Sequence, residues 1–372
     1  MNILFTRFPL ESADGGAENQ TSWLMEGLKA KGYDLGFLGS CPVILRCANE
    51  LEIMNYELRI GDPPVTKFGS ISFLWRKNSM RKALMHAIES LAVKPDAIFM
   101  LSLSEKLLLT EWAVSQGIKV YWIEHDRIGP WLQMNPWLSA LRRAAQKATI
   151  VCVSEVSRKL YLKMGFDPKK VIAIPNGVPP PSLTPTPNPR PSGIQVGTVA
   201  RLSPEKGIDI LIHSIAEIPE ITLSILGKGR EESYLRTLID ADTQRIGQER
   251  IHLFPRVPGL HAFYRSLDIF VLPSSDHDPF GLVAAEAMSC GIATIVTDAC
   301  GIAGSIRNGE EALVVSAGSP TELADAIRTL LDREKRAKMA ERGANAVRSR
   351  LDLQTMVDRY ERLVHPTIAL NK

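Results

Sequence analysis

The chain has 372 residues, 45% of them hydrophobic, which is enough to bury a sizeable core and to build two domains. Its formal net charge of +3 is too small to mark a nucleic-acid binder, and no apolar run approaches the roughly 20 residues that span a bilayer. Cys41, Cys47, Cys152, Cys290 and Cys300 form no C-x-x-C pair, so a disulfide scaffold is excluded and reduced thiols in a cytoplasmic protein are expected.

Residues 2–6 read as a first strand, and the start lacks the basic lead and long apolar stretch of a secretory leader. A loop over 11–18 carries Gly15 and Gly16, where backbone can approach a ligand closely, and leads into a helix over 17–31 stopped at Gly32. Strands are expected at 35–38, 97–101, 119–123 and 149–153, with helices at 76–92, 106–116 and 136–147 between them. Cys152, in the last of these strands, and Cys290, in another apolar run, read as small core residues.

Prolines then crowd residues 175–193 and bar them from helix or central strand. Beyond them the alternation resumes. Strands are expected at 194–200, 221–226, 251–254, 269–272, 293–296 and 312–315, and charged helices at 320–332, 334–349 and 353–363. Strand and helix alternating in this way predict parallel α/β sheets. We divide the chain into an N-terminal domain (1–176), a Pro-rich linker (177–193), a C-terminal domain (194–350) and a final helical segment (351–372).

The most informative stretch is Asp278-Pro279-Phe280-Gly281-Leu282-Val283-Ala284-Ala285-Glu286-Ala287-Met288. It follows a predicted strand and opens a predicted helix, the place where open parallel sheets bind ligands. The amides of Gly281, Leu282 and Val283 suit an anion such as phosphate. The Glu286 carboxylate is able to accept from two neighbouring hydroxyls, as in a ribose diol. Arg201 and Lys206 share the loop after the strand at 194–200, where two cations are placed to clamp a diphosphate. Gly227 and Gly229 lack the third glycine of a dinucleotide fingerprint and read as a tight turn beside the nucleotide pocket. His125 ends the strand at 119–123, where Glu124 and Asp126 are expected to raise its pKa. Neither His125 nor His277, which lies in an acidic loop, has His or Cys partners at metal-ligand spacing.

These motifs resemble the retaining glycosyltransferases of family 4, whose usual pattern reads Glu-x-Phe-Gly, four residues, Glu-Ala-Met. Phe280, Gly281, Glu286, Ala287, Met288 and Gly291 match, while Asp278 stands where the family most often has Glu. Val153-Ser154, Ile174-Pro175-Asn176-Gly177-Val178, the Arg201 to Lys206 spacing and Gly227-Lys228-Gly229 match further signatures. Ser305 departs from a frequent glutamate, and the resemblance is weak over 40–95.

The resemblance implies the GT-B fold, two Rossmann-like domains facing a cleft, with the last helix returning to the N-terminal domain. It implies hexosyl transfer from a nucleoside-diphosphate sugar, with retention, no metal and no cofactor. Glu286 would bind ribose, Arg201 and Lys206 the diphosphate, and Asp278 and His125 the transferred sugar, with Gly15 and Gly16 near the donor phosphates. A sugar-nucleotide epimerase and a non-catalytic nucleotide-sugar-binding module are the alternatives. The acceptor is unassigned among glycan, lipid-linked and small-molecule classes. Residues 67–94 carry six basic residues against one acidic, with Phe73, Leu74 and Trp75 among them, and 131–147 pairs Trp131 and Trp137 with Arg142, Arg143 and Lys147. Basic helices with interfacial aromatics suit an anionic membrane, so a peripheral contact at the inner face of the membrane is expected.

Overall fold

The computed structural model describes residues 1–10, 15–126, 130–181 and 193–365. Part of the expected glycine-bearing loop (11–14), most of the proline linker (182–192) and the end of the C-terminal segment (366–372) lie outside the described residues. Two compact units are present, one of Met1–Gly177 together with the chain from Met356 onward, the other of Val178–Thr355.

The first unit holds a seven-stranded sheet in the order β3-β2-β1-β4-β5-β6-β7. Its strands are β1 (Asn2–Arg7), β2 (Asp34–Gly39), β3 (Met54–Glu57), β4 (Ala97–Met100), β5 (Lys119–Glu124), β6 (Thr149–Cys152) and β7 (Val171–Ala173). Every pairing is parallel; Ile3, for instance, lies opposite Leu35 on one side and Ala97 on the other. Helices on both faces explain why the central strands read as continuous apolar runs rather than alternating ones. Leu4, Ile98, Trp122 and Ile150 share a core with Leu84 and Leu109 from flanking helices.

The second unit holds a six-stranded parallel sheet in the order β10-β9-β8-β11-β12-β13. Its strands are β8 (Ile194–Val199), β9 (Ile221–Leu226), β10 (Ile251–Phe254), β11 (Ile269–Leu272), β12 (Ala293–Thr297) and β13 (Leu313–Val315). A separate core of Leu211, Ile225, Ile295 and Ile327 holds it together. In each sheet the strand order reverses once, between β1 and β4 and between β8 and β11. Loops leaving the carboxyl ends of those strand pairs diverge and leave a crevice there.

Several elements differ from the sequence reading. The expected helix at 76–92 runs over Lys67–Glu89, because the Thr66 hydroxyl accepts from the Gly69 amide at 2.9 Å and caps it nine residues earlier. The helix at 136–147 is shorter, Leu138–Ala145. The helices Pro42–Glu50, Glu155–Lys163, Ile208–Ile215, Glu232–Ile246 and Leu260–Arg265 and the edge strands β3 and β7 were not individually anticipated. All five cysteines are free thiols; Cys152 is buried as expected, but Cys290 is only half-buried.

Candidate functional site

β8 and β11 are neighbours in the sheet, so the loops that follow them leave side by side. The first passes Arg201, makes a single 3-10 turn at Pro204–Lys206, and reaches Gly207 in the left-handed conformation (φ 62°). A side chain at Gly207 would collide with the Pro273 carbonyl of the second loop. The two loops are also hydrogen-bonded. The Ser275 amide donates to Glu205 O and its hydroxyl to Pro204 O, both at 3.0 Å.

This docking brings Lys206 Nζ to 2.5 Å from Asp278 Oδ2, while Ser274 Oγ donates to the same oxygen at 3.2 Å. Asp278 is buried. Burial alone would raise its pKa, but the Lys206 ammonium, the Ser274 hydroxyl and the Phe280 amide hold it below the usual carboxylate range. The site therefore keeps a buried anion locked to a cation. Arg201, on the same loop as Lys206, is exposed and has no ion-pair partner among the described residues.

Gly281 adopts φ 88° and starts the Leu282–Ser289 helix. The Leu282 and Val283 amides stand in its first turn, ahead of its hydrogen-bond ladder. Glu286 lies one turn further on. Tyr264, buried on the Leu260–Arg265 helix, donates its hydroxyl to Glu286 Oε2 at 2.8 Å. Burial raises the Glu286 pKa and the Tyr264 hydrogen bond lowers it, with a net upward shift. Oε1 is left to accept from elsewhere. No motif pointed to Tyr264 in the sequence, since it sits 22 positions before its partner. Gly227 and Gly229 pack against the backbone of the Arg201 loop. A Cβ on either would collide with the Ala200 or Leu202 carbonyl oxygen, so the turn is glycine-dependent for close approach.

The other expected residues belong to the first unit. Gly15 is extended and precedes the Gly16–Ala30 helix, whose Glu18 accepts from Arg7 Nη2 at 2.7 Å in a buried ion pair. His125 follows β5 and is buried. Its pKa is not raised by its acidic neighbours. Burial, with the nearby Arg7 and Lys106 charges, presses it down to about 3, so it is a neutral imidazole. Glu124 cannot offset this because Lys106 Nζ already lies 2.8 Å from its Oε1, and the Asp126 side chain is 60% exposed. No three His, Cys, Asp or Glu side chains converge as a metal cluster among the described residues. The second expected membrane segment is not a free face: Trp137 stacks edge-on against Phe73 and donates Nε1 to Ser70 O at 3.0 Å.

Residues 186–346 match the family described as Glycosyl transferases group 1, and residues 14–181 match Glycosyltransferase Family 4. The chain is 31% identical over 232 residues to a phosphatidyl-myo-inositol mannosyltransferase of Mycobacterium leprae, covering 59% of each chain. It is 29% identical over 170 residues to the lipopolysaccharide core biosynthesis glycosyltransferase LpsE of Rhizobium meliloti, covering 45% of this chain and 49% of that one. The matches thus span about half the length of these curated relatives. Among solved structures, Anabaena HepE in complex with UDP superposes with a TM-score of 0.80 at 20% identity, covering 98% of this chain and all of that one. Sucrose-phosphate synthase from Thermosynechococcus elongatus superposes with a TM-score of 0.77 at 18% identity over the full length of both. These likenesses establish the pair of Rossmann-like units as the GT-B fold.

Proposed function

The chain belongs to the group 1 glycosyltransferases of family 4, and from that premise we propose that it moves a hexose from a nucleoside diphosphate to an acceptor hydroxyl, with retention and without a metal ion. The observation that carries the reading is the Lys206–Asp278 pair beside the unpaired Arg201, at the carboxyl ends of neighbouring strands.

In this reading the bond from the anomeric carbon to the diphosphate oxygen breaks as the acceptor oxygen bonds to the same face. The acceptor proton passes to the departing diphosphate, so no protein nucleophile is needed. Negative charge grows on the diphosphate as it leaves. Lys206, held by Asp278, and Arg201 on the same loop stabilise that charge more in the transition state than in the ground state, the task a metal ion performs elsewhere. The first-turn amides at 281–283 add to them. Glu286, its Oε2 held by Tyr264, offers Oε1 to the ribose diol. Asp278 orients the sugar, and His125 contributes a neutral hydrogen-bonding imidazole. The related proteins support this choice, since HepE was crystallised with UDP-glucose and the Mycobacterium relative is a mannosyltransferase.

We further place the first unit at an anionic membrane surface on the cytoplasmic side. The Lys67–Glu89 helix leaves Phe68 81% and Trp75 75% exposed, with Ile71 and Leu74 beside them and the exposed cations Lys67, Arg81 and Lys82 along the helix. No described helix is long and apolar enough to cross a membrane.

The test is release of nucleoside diphosphate from UDP-glucose, GDP-mannose and related sugar nucleotides, with and without EDTA, and the anomeric configuration of the product by proton NMR. Turnover abolished by EDTA, or an inverted product, would remove the metal-free retaining mechanism. Lys206→Ala and Arg201→Ala should each lower kcat/KM roughly a hundredfold or more.

A further inference from the structure

The switch point of the first sheet, where the loops after β1 and β4 diverge, opens on a cavity of about 350 Å³, the lower end of the roughly 300–1,000 Å³ typical of small-molecule sites. Part of its lining is charged: Arg7, Lys106, Glu124 and Asp126 all line it. Two cations and two carboxylates balance, so neither a simple anion nor a simple cation is matched. Lys106 and Glu124 already pair with one another at 2.8 Å, and a lining that presents both donors and acceptors fits hydroxyl groups, each of which donates once and accepts twice. Arg7 strengthens this. Its Nη2 is engaged by Glu18, but its buried Nε and Nη1 have no hydrogen-bond partner among the described residues. Unsatisfied buried donors are costly and call for a ligand or water.

The remaining lining is largely apolar and includes Leu10, Val65, Leu103, Trp131 and Leu132. A polyol alone has no use for it. This apolar lining also runs outward. Leu10 is 42% exposed, and Val65 leads within three residues to Phe68 on the Lys67–Glu89 helix. Two residues beyond Leu132, Met134 is 76% exposed. Asn135 Nδ2 donates to Pro64 O at 2.7 Å, which ties that segment to the start of the same helix. The apolar lining of the cavity is therefore continuous along the chain with the exposed apolar surface.

We propose that this cavity takes the polyol head of an amphiphilic acceptor whose apolar tail leaves past Leu10, Phe68 and Met134. The proposal rests on the glycosyl-transfer reading and assigns its acceptor class: a hydroxyl-rich head on a hydrocarbon anchor, which the bilayer holds and the cavity reads. Each methylene buried against the apolar lining contributes about fourfold in affinity.

The test uses the full chain and three probes: glucose, hexan-1-ol and hexyl β-D-glucopyranoside below its micelle threshold. Calorimetric titration should show the glucoside binding at least tenfold tighter than glucose or hexanol. Leu10→Glu and Asp126→Asn sit at exposed positions that leave the core untouched. The first should cancel the advantage of the glucoside over glucose, and the second should weaken the glucoside about tenfold while leaving hexanol unchanged. Binding of UDP, GDP and ADP, followed by thermal shift on the same samples, reports the donor reading separately. Intact nucleotide binding with no preference for the glucoside, or a preference that survives both variants, overturns the acceptor assignment alone. Absence of binding by all three nucleotides in the native protein overturns the donor reading and the assignment with it.

Discussion

A carboxylate one methylene shorter than the family's usual glutamate occupies position 278, and its surroundings account for the shorter arm. Lys206 at 2.5 Å and Ser274 at 3.2 Å both converge on Asp278 Oδ2. The charge is thus fixed close to the sheet. Asp278→Asn leaves the shape but removes the charge, so we expect kcat to fall roughly a hundredfold while UDP affinity holds or rises, since Lys206 is then freed for phosphate. Steady-state kinetics with UDP titration decides this; full turnover in both Asp278→Asn and Asp278→Glu would show that the position does not orient the sugar. Most of this constellation was legible, because Arg201, Lys206, Asp278 and Glu286 sit at fixed offsets from strand ends. Tyr264 and Ser274 were not, since side chains that meet through tertiary packing leave no spacing in the sequence. The His125 environment was misread for the same reason: its sequence neighbours are acidic, but the charges that count, Arg7 and Lys106, arrive from other elements.

A second residue carries a pH signature. Glu105 closes the capping box of the Leu103–Ser115 helix, its Oε1 accepting from the Ser102 amide at 2.6 Å, and its Oε2 is buried without a partner. Burial pushes its pKa up to about 7. The folded state therefore holds this proton more tightly than the unfolded chain, and stability falls as pH rises from the unfolded value near 4.5 to about 7. Above pH 7 the full penalty, on the order of 3 kcal/mol, is present. Glu105→Gln keeps the Oε1 acceptor and cannot ionise. Its urea midpoint should exceed that of the native protein at pH 8 and fall level with or below it at pH 5. A difference between the two proteins that is constant with pH would show that Glu105 is ionised throughout.

At the scale of elements, the two parallel sheets were readable because their central strands are continuous apolar runs separated by capped helices. The missed elements lack that signal. β3 is a four-residue edge strand with no buried residue, and β7 has three residues. The Glu155–Lys163 helix buries only Ser157 and Tyr161, so it has no apolar stripe to detect. The start of the Lys67–Glu89 helix was hidden by the opposite circumstance: Phe73 points to the core while Phe68, Ile71, Leu74 and Trp75 face outward, and apolar residues all round erase the period. The Gly-x-Gly turn was read as tight, and its packing partner is the Arg201 loop. A methyl at Gly229 must displace the Leu202 backbone. Gly229→Ala should destabilise the protein by about 1–3 kcal/mol and weaken UDP binding as well, because the shifted backbone carries Arg201. Thermal unfolding with and without UDP checks this. An unchanged melting temperature would mean that the turn relaxes freely.

For the whole molecule, a net charge of +3 says little, but its distribution is uneven: residues 1–180 carry 22 basic against 17 acidic residues, and the remainder 22 against 24. The surplus falls in the half that also bears the exposed Phe68, Ile71, Leu74 and Trp75. Apolar side chains that insert at the headgroup boundary and cations that stay in water give two separable contributions. Each basic residue near an anionic surface contributes about 1 kcal/mol and is screened by salt, so removing two should weaken binding roughly thirtyfold. The chain should therefore sediment with vesicles containing phosphatidylglycerol at low salt and less with pure phosphatidylcholine. Arg81→Glu with Lys82→Glu should abolish the preference for anionic lipid. Phe68→Ser with Trp75→Ser should lower sedimentation on both lipids, including the part that high salt leaves behind, without changing the affinity for nucleoside diphosphates. Equal sedimentation on neutral and anionic vesicles, or none at low salt, would sink the membrane assignment. The exposed aromatic face would then have no lipid partner, and the acceptor would have to reach the first unit from solution.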